Sequence, residues 1–391
     1  MSDFRALDEY LNEVVKDGPS GCGCIVTKDG EFIYEGYAGV ADTAKNTPIT
    51  ADSVYQQFST TKVIICTALM MQVERGKLLL QDPVYKYFPE WEHTMVAEDH
   101  EDGTVTVRPV KRPIQVVDCL TMSMGIGYGG DDYTHRKLAE ARAALSGTIG
   151  WNYTLRDDIR AVSQVPVKFD PGEGWLYGFG HELVAGLIEA TSGMTVGEFL
   201  KKNIFEPLGM ENTGYRYHGN MRENLVTTYL SEDGKRTDKT FADAFNGGNP
   251  MRRYEPDAKY EAGGAGLLST VHDYAVFGTM LANGGEYKGQ RIIGRKTIDL
   301  MRTNHLTPAQ LAVFRNSYLD GYGYGLGVRT LMENSTSPTS AGEFGWTGML
   351  GTYLVIDPAE RVCLAYMHNM MPNNEEQIHH RVRNIVFGAI R

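Results

Sequence analysis

No run of about 18 apolar residues occurs in the 391-residue chain, so it offers no membrane-spanning helix. The N-terminus lacks a basic start followed by an apolar stretch, which excludes a secretory signal and places the protein, as an expectation, in the cytoplasm. Positive charge is in deficit: 38 Lys and Arg against 49 Asp and Glu give 38 − 49 = −11. That deficit argues against a nucleic-acid partner and against docking on an anionic membrane. Cysteine is scarce, five in all, too few for a disulfide framework in a chain of this size. Cys22 and Cys24 stand beside Ile25 and Val26 and read as strand residues rather than metal ligands. No second Cys pair and no His pair at zinc spacing accompanies them, so no metal site is expected. Repeats and low-complexity linkers are absent.

What is present is an ordinary globular composition, 42% apolar and 22% charged with 44 glycines. The first residues form an amphipathic pattern, with Phe4, Leu7, Tyr10, Leu11 and Val14 at helical spacing. Residues 21–40 hold two β-rich runs around Lys28-Asp29-Gly30, a hairpin signal. Residues 61–80 are apolar almost all round at first, as a core helix would be, and Gly76 closes them. Helical patterns follow at 134–146, 154–164, 180–192 and 195–203, whereas the charged stretch 94–112 reads as an exposed excursion. Strand character returns beyond 260, in Leu350 to Pro358 and Arg361 to Met367, before a closing helix at 375–390. Strands at both ends with helices between predict a sheet domain from 1–58 plus 260–391 and an inserted, mainly helical domain over 59–259.

Several motifs lack the context they need. Gly125 to Gly130 matches G-x-G-x-x-G but does not sit between a strand and a helix. His181-Glu182 begins like a zinc-protease helix, yet the second histidine is missing. No G-x-S-x-G elbow exists. His379 and His380 are adjacent on the closing helix and read as surface residues.

One pair stands out. Ser59 and Lys62 form S-x-x-K at the start of the most apolar helix. Serine there could simply cap the helix. A lysine at that end faces the positive pole of the helix dipole and loses solvation in an apolar stretch, so structure alone gives no reason for it. Residues at i and i+3 share a face, so a neutral amine at 62 could take the proton of the Ser59 hydroxyl and start nucleophilic attack on a carbonyl. Context alone leaves capping and catalysis both open. Further along, the turn Asp170-Pro171-Gly172-Glu173-Gly174 leads to Tyr177, either a packed aromatic or a proton relay. Gly345-Trp346-Thr347-Gly348-Met349 precedes a strand, and a glycine there would let substrate approach an edge strand.

These three elements, in this order, resemble the serine β-lactamase and penicillin-binding-protein superfamily. The resemblance is nearest to the class C β-lactamase-like group with its family VIII carboxylesterases. Met71 to Pro89, Phe205 to Met210 with Thr213, Gly263 to Thr270 with Asp273, and Tyr322 to Val328 extend the likeness over roughly 20–390. The resemblance implies an α+β fold of the β-lactamase/transpeptidase type: an antiparallel sheet flanked by helices, an inserted helical domain, and the active site in the cleft between. It implies Ser59 as acylated nucleophile, Lys62 as its base and Tyr177 as a partner in proton transfer. The backbone N–H groups of Ser59 and Met349 would form the oxyanion hole.

The departures are informative. Phe179 stands where the Y-x-N motif has asparagine, which suggests an aromatic wall in place of an amide-binding group. Trp346-Thr347-Gly348 stands for K-T-G, so a ring replaces the cation that helps to hold a β-lactam carboxylate. Phe179, Trp346, Thr347 and Gly348 are therefore the expected substrate-binding residues. The expected activity is a carboxylesterase on small neutral or hydrophobic esters, working through an acyl-enzyme with no cofactor. A β-lactamase, a D-amino-acid peptidase or amidase, or an acyltransferase would share the same centre. A non-catalytic binding protein on this scaffold is the alternative of another class. The expected partner is a small ester or amide, and assembly into a homo-oligomer is compatible with the sequence.

Overall fold

The computed structural model describes residues 2–245, 250–315, 319–333 and 336–390. Its main sheet has eight antiparallel strands, drawn from the two ends of the chain. The first three are β1 (Gly21–Lys28), β2 (Glu31–Asp42) and β3 (Thr47–Pro48). The rest are β4 (Tyr322–Tyr324), β5 (Arg329–Leu331), β6 (Phe344–Thr347), β7 (Tyr353–Asp357) and β8 (Val362–His368). Their spatial order is β4-β5-β6-β7-β8-β1-β2-β3, so β1 and β8, from opposite ends of the chain, lie side by side at its centre. The predicted hairpin joins β1 and β2, and Asp29 (φ 52°) and Gly30 (φ 90°) supply the two positive-φ positions of its tight turn.

Successive side chains of a strand point to opposite faces. Cys22, Cys24 and Val26 pack under α1 (Arg5–Asp17) and the C-terminal helix Glu375–Ala389, while Ile25 joins the large core on the other side. Every residue of β8 is buried, which explains its unbroken apolar run. The helix Val271–Ala282 lies on the large-core face, and Gly278 lets it close in: a Cβ there would stand 2.3 Å from Cys363 Sγ. All five cysteines are buried and unbridged.

Between the two groups of strands lie the helices Tyr133–Ile149, Leu155–Val162, Gly180–Ser192 and Val196–Leu200, close to the predicted spans. The helix Thr61–Glu74 is buried from Thr61 through Gln72, packs on Gly180–Ser192, and is followed by Gly76 at φ 67°. The strand Val54–Gln56 pairs with Leu268–Thr270, and this small ladder brings the start of that helix beside Gly264 to Leu267. Among the described residues no single helix is long and apolar enough to cross a membrane.

One sequence expectation gains detail and another changes. The stretch 94–112, expected as an exposed excursion, is a partly exposed β-hairpin, Met95–Asp99 with Val105–Pro109. Its charges hid the alternation, yet they are structural: Arg108 bridges Glu98 and the buried Asp170. His379 is not a surface residue. It is buried and stacks on Tyr353 with ring centroids 4.4 Å apart, because its helix face lies on the sheet.

Candidate active site

Phe58, Ser59 and Thr60 form a single 3₁₀ turn ahead of the buried helix Thr61–Glu74. Phe58 has φ +44°, a strained value for a side chain of its size, and the strain is held by the surroundings. Gln57 N–H donates to Leu267 O at 2.9 Å, and Thr352 and Thr60 hydroxyls both donate to Gln57 O, at 2.9 and 2.8 Å. Neither the turn nor the helix takes a side-chain cap from its first residues. The Ser59 hydroxyl instead meets Lys62 Nζ at 3.0 Å.

Lys62 is wholly buried. Its Nζ also donates to Gly264 O at 2.5 Å and lies 4.6 Å from the Tyr177 ring centre and 5.1 Å from that of Tyr128. Among the described residues no carboxylate lies within ion-pair distance of it. Glu182 sets the position of that carbonyl. Its two carboxyl oxygens accept from Gly263 N (2.6 Å) and Gly264 N (3.1 Å), fixing the Gly-Gly segment whose next group is the Gly264 carbonyl. Burial raises the Glu182 carboxyl above its ordinary range. Burial, followed by the charge of Lys62, lowers neighbouring His181 to about 3.

Tyr177 reaches the site from a loop clamped on both sides. Arg108 holds Asp170 at 2.8 Å and, as the leading cause, lowers its carboxyl to about 2. Gln310 donates to Gly172 O (2.9 Å) and Gly174 O (3.1 Å). The Tyr177 ring stacks between Trp175 and Trp346, at 6.2 and 5.6 Å. Trp346 Nε1–H donates to Tyr177 Oη at 2.9 Å, so the tryptophan in the lysine position still points a donor at the phenol.

Ser59, Lys62, Tyr177, Trp346, Thr347 and Met349 line one cavity of about 590 Å³, with Phe58, Trp175, Val313 and Phe314 as apolar wall. The structure thus brings together every expected catalytic and oxyanion-hole residue. Two of the expected substrate contacts differ. Phe179 is 1% exposed and stacks on Trp91 at 6.4 Å; the tight start of Gly180–Ser192 turns its ring into the helical core, so it forms no wall to the cavity. Gly348 is buried in the turn after β6, where a Cβ would stand 2.0 Å from Thr352 Oγ1 and 2.4 Å from Gln57 O. It lets that turn press on the Ser59 loop and does not line the cavity. Nor is β6 an edge strand, although its pairing with β5 stops at Gly345 and leaves Trp346 and Thr347 paired on one side only.

Sequence reasoning missed Glu182, Tyr128 and Trp175. An acid directly before the apolar stretch Leu183 to Ile188 was the available signal for the first. Tyr128 lay hidden in the glycine-rich decoy.

Similarity to known proteins extends over most of the chain. Esterase EstB of Burkholderia gladioli is 25% identical over 379 residues, covering 90% of this chain and 87% of that protein. Lovastatin esterase of Penicillium rubens is 26% identical over 358 residues, covering 87% and 86%. The solved structure of EstCE1, described as a hydrolase with promiscuous acyltransferase activity, superposes with a TM-score of 0.78 at 21% identity, covering 97% of both chains. That likeness shows the fold. The family model for beta-lactamase matches residues 7–387, and the chain belongs to the beta-lactamase family.

Proposed function

We propose that this serine hydrolase of the beta-lactamase family is a carboxylesterase for esters with small neutral or hydrophobic groups around the reacting carbonyl. One observation carries the reading: the Ser59 hydroxyl leaves its helix uncapped and meets the buried Lys62 amine at 3.0 Å. In its neutral form the amine accepts the hydroxyl proton across that distance while an N–H stays on Gly264 O. Ser59 Oγ then attacks the ester carbonyl. The backbone N–H groups of Ser59 and Met349 receive the developing oxyanion. Tyr177, its oxygen steadied by the Trp346 indole N–H, passes a proton to the leaving alkoxide. Water reverses the sequence and frees the acid and Ser59. The aromatic wall and the uncharged indole favour neutral groups at the reacting end over a β-lactam carboxylate. The names of EstB and lovastatin esterase support an ester substrate.

The test compares turnover of p-nitrophenyl acetate and butyrate with nitrocefin and a D-alanyl anilide, for wild type and Ser59→Ala. Ester turnover should exceed the others and vanish in the folded variant. Faster lactam or anilide turnover would overturn the ester assignment, and full activity in Ser59→Ala would overturn the nucleophile.

A further inference from the structure

Beside the Ser59 cavity lies a second one, of about 710 Å³, and the two share Tyr128, Glu182 and Ala265. The partition between them is thin. Tyr128 Oη packs on Gly264, where a Cβ would stand 1.9 Å from it, and Tyr128, Glu182 and Ala265 line both chambers. The Gly264 carbonyl that holds Lys62 lies at this shared wall, which places the second chamber next to the reacting end of a substrate at Ser59.

The chemistry of the two chambers differs. Four arginines, Arg142, Arg216, Arg252 and Arg253, line the second, against one carboxyl residue, Glu182. Arg142 is neutralised by Asp158 through two bonds of 3.0 and 2.9 Å. Arg216 donates to backbone carbonyls only, those of Ala258 (2.6 Å), Tyr215 (3.0 Å), Tyr260 (3.2 Å) and Arg253 (3.3 Å). The Arg252 guanidinium lies 3.8 Å over the Trp151 ring, which holds it in place without cancelling its charge. Among the described residues no carboxylate lies within ion-pair distance of Arg216, Arg252 or Arg253. Three guanidiniums without a salt-bridge partner among the described residues thus line one cavity in a chain of net charge −11, with Arg252 and Arg253 open to solvent and so accessible to a ligand. Guanidinium forks match carboxylate and phosphate oxygens, two bonds at a time.

We propose that this chamber is an anion subsite that binds a carboxylate or phosphate at the far end of the ester whose carbonyl reacts at Ser59. The inference rests on the esterase reading and deepens it: neutral and apolar near the reacting carbonyl, anionic at the remote end. Arg252 and Arg253 supply the charge, and Trp151 and Tyr153 flank the connecting chain.

The experiment compares p-nitrophenyl hydrogen adipate with p-nitrophenyl hexanoate, six-carbon acyl chains that differ in a terminal carboxylate. Wild type, the double variant Arg252→Glu/Arg253→Glu, and Arg295→Gln, which lines neither cavity, are each assayed. The quantity read is the ratio of kcat/KM for adipate to that for hexanoate, along with inhibition of hexanoate turnover by free adipate and by inorganic phosphate. The double variant should lower the ratio by at least about tenfold, as expected for removing charge-assisted bonds, and Arg295→Gln should keep the wild-type ratio. Stronger inhibition by adipate assigns a carboxylate; stronger inhibition by phosphate, lost in the double variant, assigns a phosphate. A ratio unmoved by the double variant, together with no inhibition that depends on these arginines, overturns the subsite while Ser59-dependent hexanoate turnover leaves the esterase reading standing. Failure to turn over either ester removes the esterase reading and this inference with it.

Discussion

Replacing Trp346 by Phe asks whether the indole N–H matters beyond its ring. Phenylalanine keeps an aromatic face against Tyr177 and Tyr324, now 5.6 and 5.2 Å from the Trp346 ring, and removes the donor that meets Tyr177 Oη at 2.9 Å together with one ring of the indole. A bond between neutral groups contributes about 0.5–1.5 kcal/mol, and one to a charged oxygen about 1.5–3 kcal/mol. If the phenol oxygen carries negative charge when a proton moves, the second range applies, and kcat should fall roughly 10- to 150-fold. If Tyr177 only packs, the first range applies to stability alone and kcat should hardly change. The assay is steady-state hydrolysis of p-nitrophenyl butyrate, with thermal melting to confirm that the variant is folded. A folded Trp346→Phe enzyme whose kcat stays within twofold of wild type would refute the proton role given to Tyr177.

Two further substitutions reach beyond the cavity wall. Glu182→Gln keeps the side-chain volume but leaves one acceptor oxygen for two backbone donors, so Gly264 O should lose its set position at Lys62. The expected result is a drop in kcat of about tenfold, taking one lost hydrogen bond as the scale, with KM nearly unchanged. A matching rise in KM, or loss of folded protein alone, would contradict a positioning role. Buried His368 is lowered by its burial to about 4, below the ordinary histidine value near 6.5. Its contribution to stability is therefore complete above pH ~6.5 and is lost as pH falls toward 4, since the unfolded chain binds the proton first. Urea unfolding should show wild type losing stability relative to His368→Asn by about 1.4 kcal/mol per pH unit across that window. A difference that does not vary with pH would contradict it.

The parts of the site that were legible in the sequence are local. Ser59, in the turn that leads into the buried helix, and Lys62, in that helix's first turn, are three residues apart, and a lysine at the start of a buried apolar helix has no structural use. The Asp29-Gly30 hairpin and the terminal helices are likewise written in short-range pattern. What escaped depends on contacts across the chain. Glu182 acts on Gly263, 81 residues away, and an isolated acid does not reveal its acceptor. The Trp346 donor finds Tyr177 only because the loop after Asp170 is clamped by Arg108 and Gln310. Phe179 was read from motif position, which does not fix where a side chain points; Trp91 drew it into the core. The hairpin at Met95–Pro109 was masked by charges that pair with each other and with Asp170.

The nucleophile can be tested directly by labelling the folded protein with a fluorophosphonate and mapping the adduct by peptide mass spectrometry, for wild type and Lys62→Ala side by side. The account predicts one adduct, on Ser59, formed quickly in wild type and far more slowly once the amine is gone. An adduct on a different residue, or equal labelling rates in the two proteins, would contradict it.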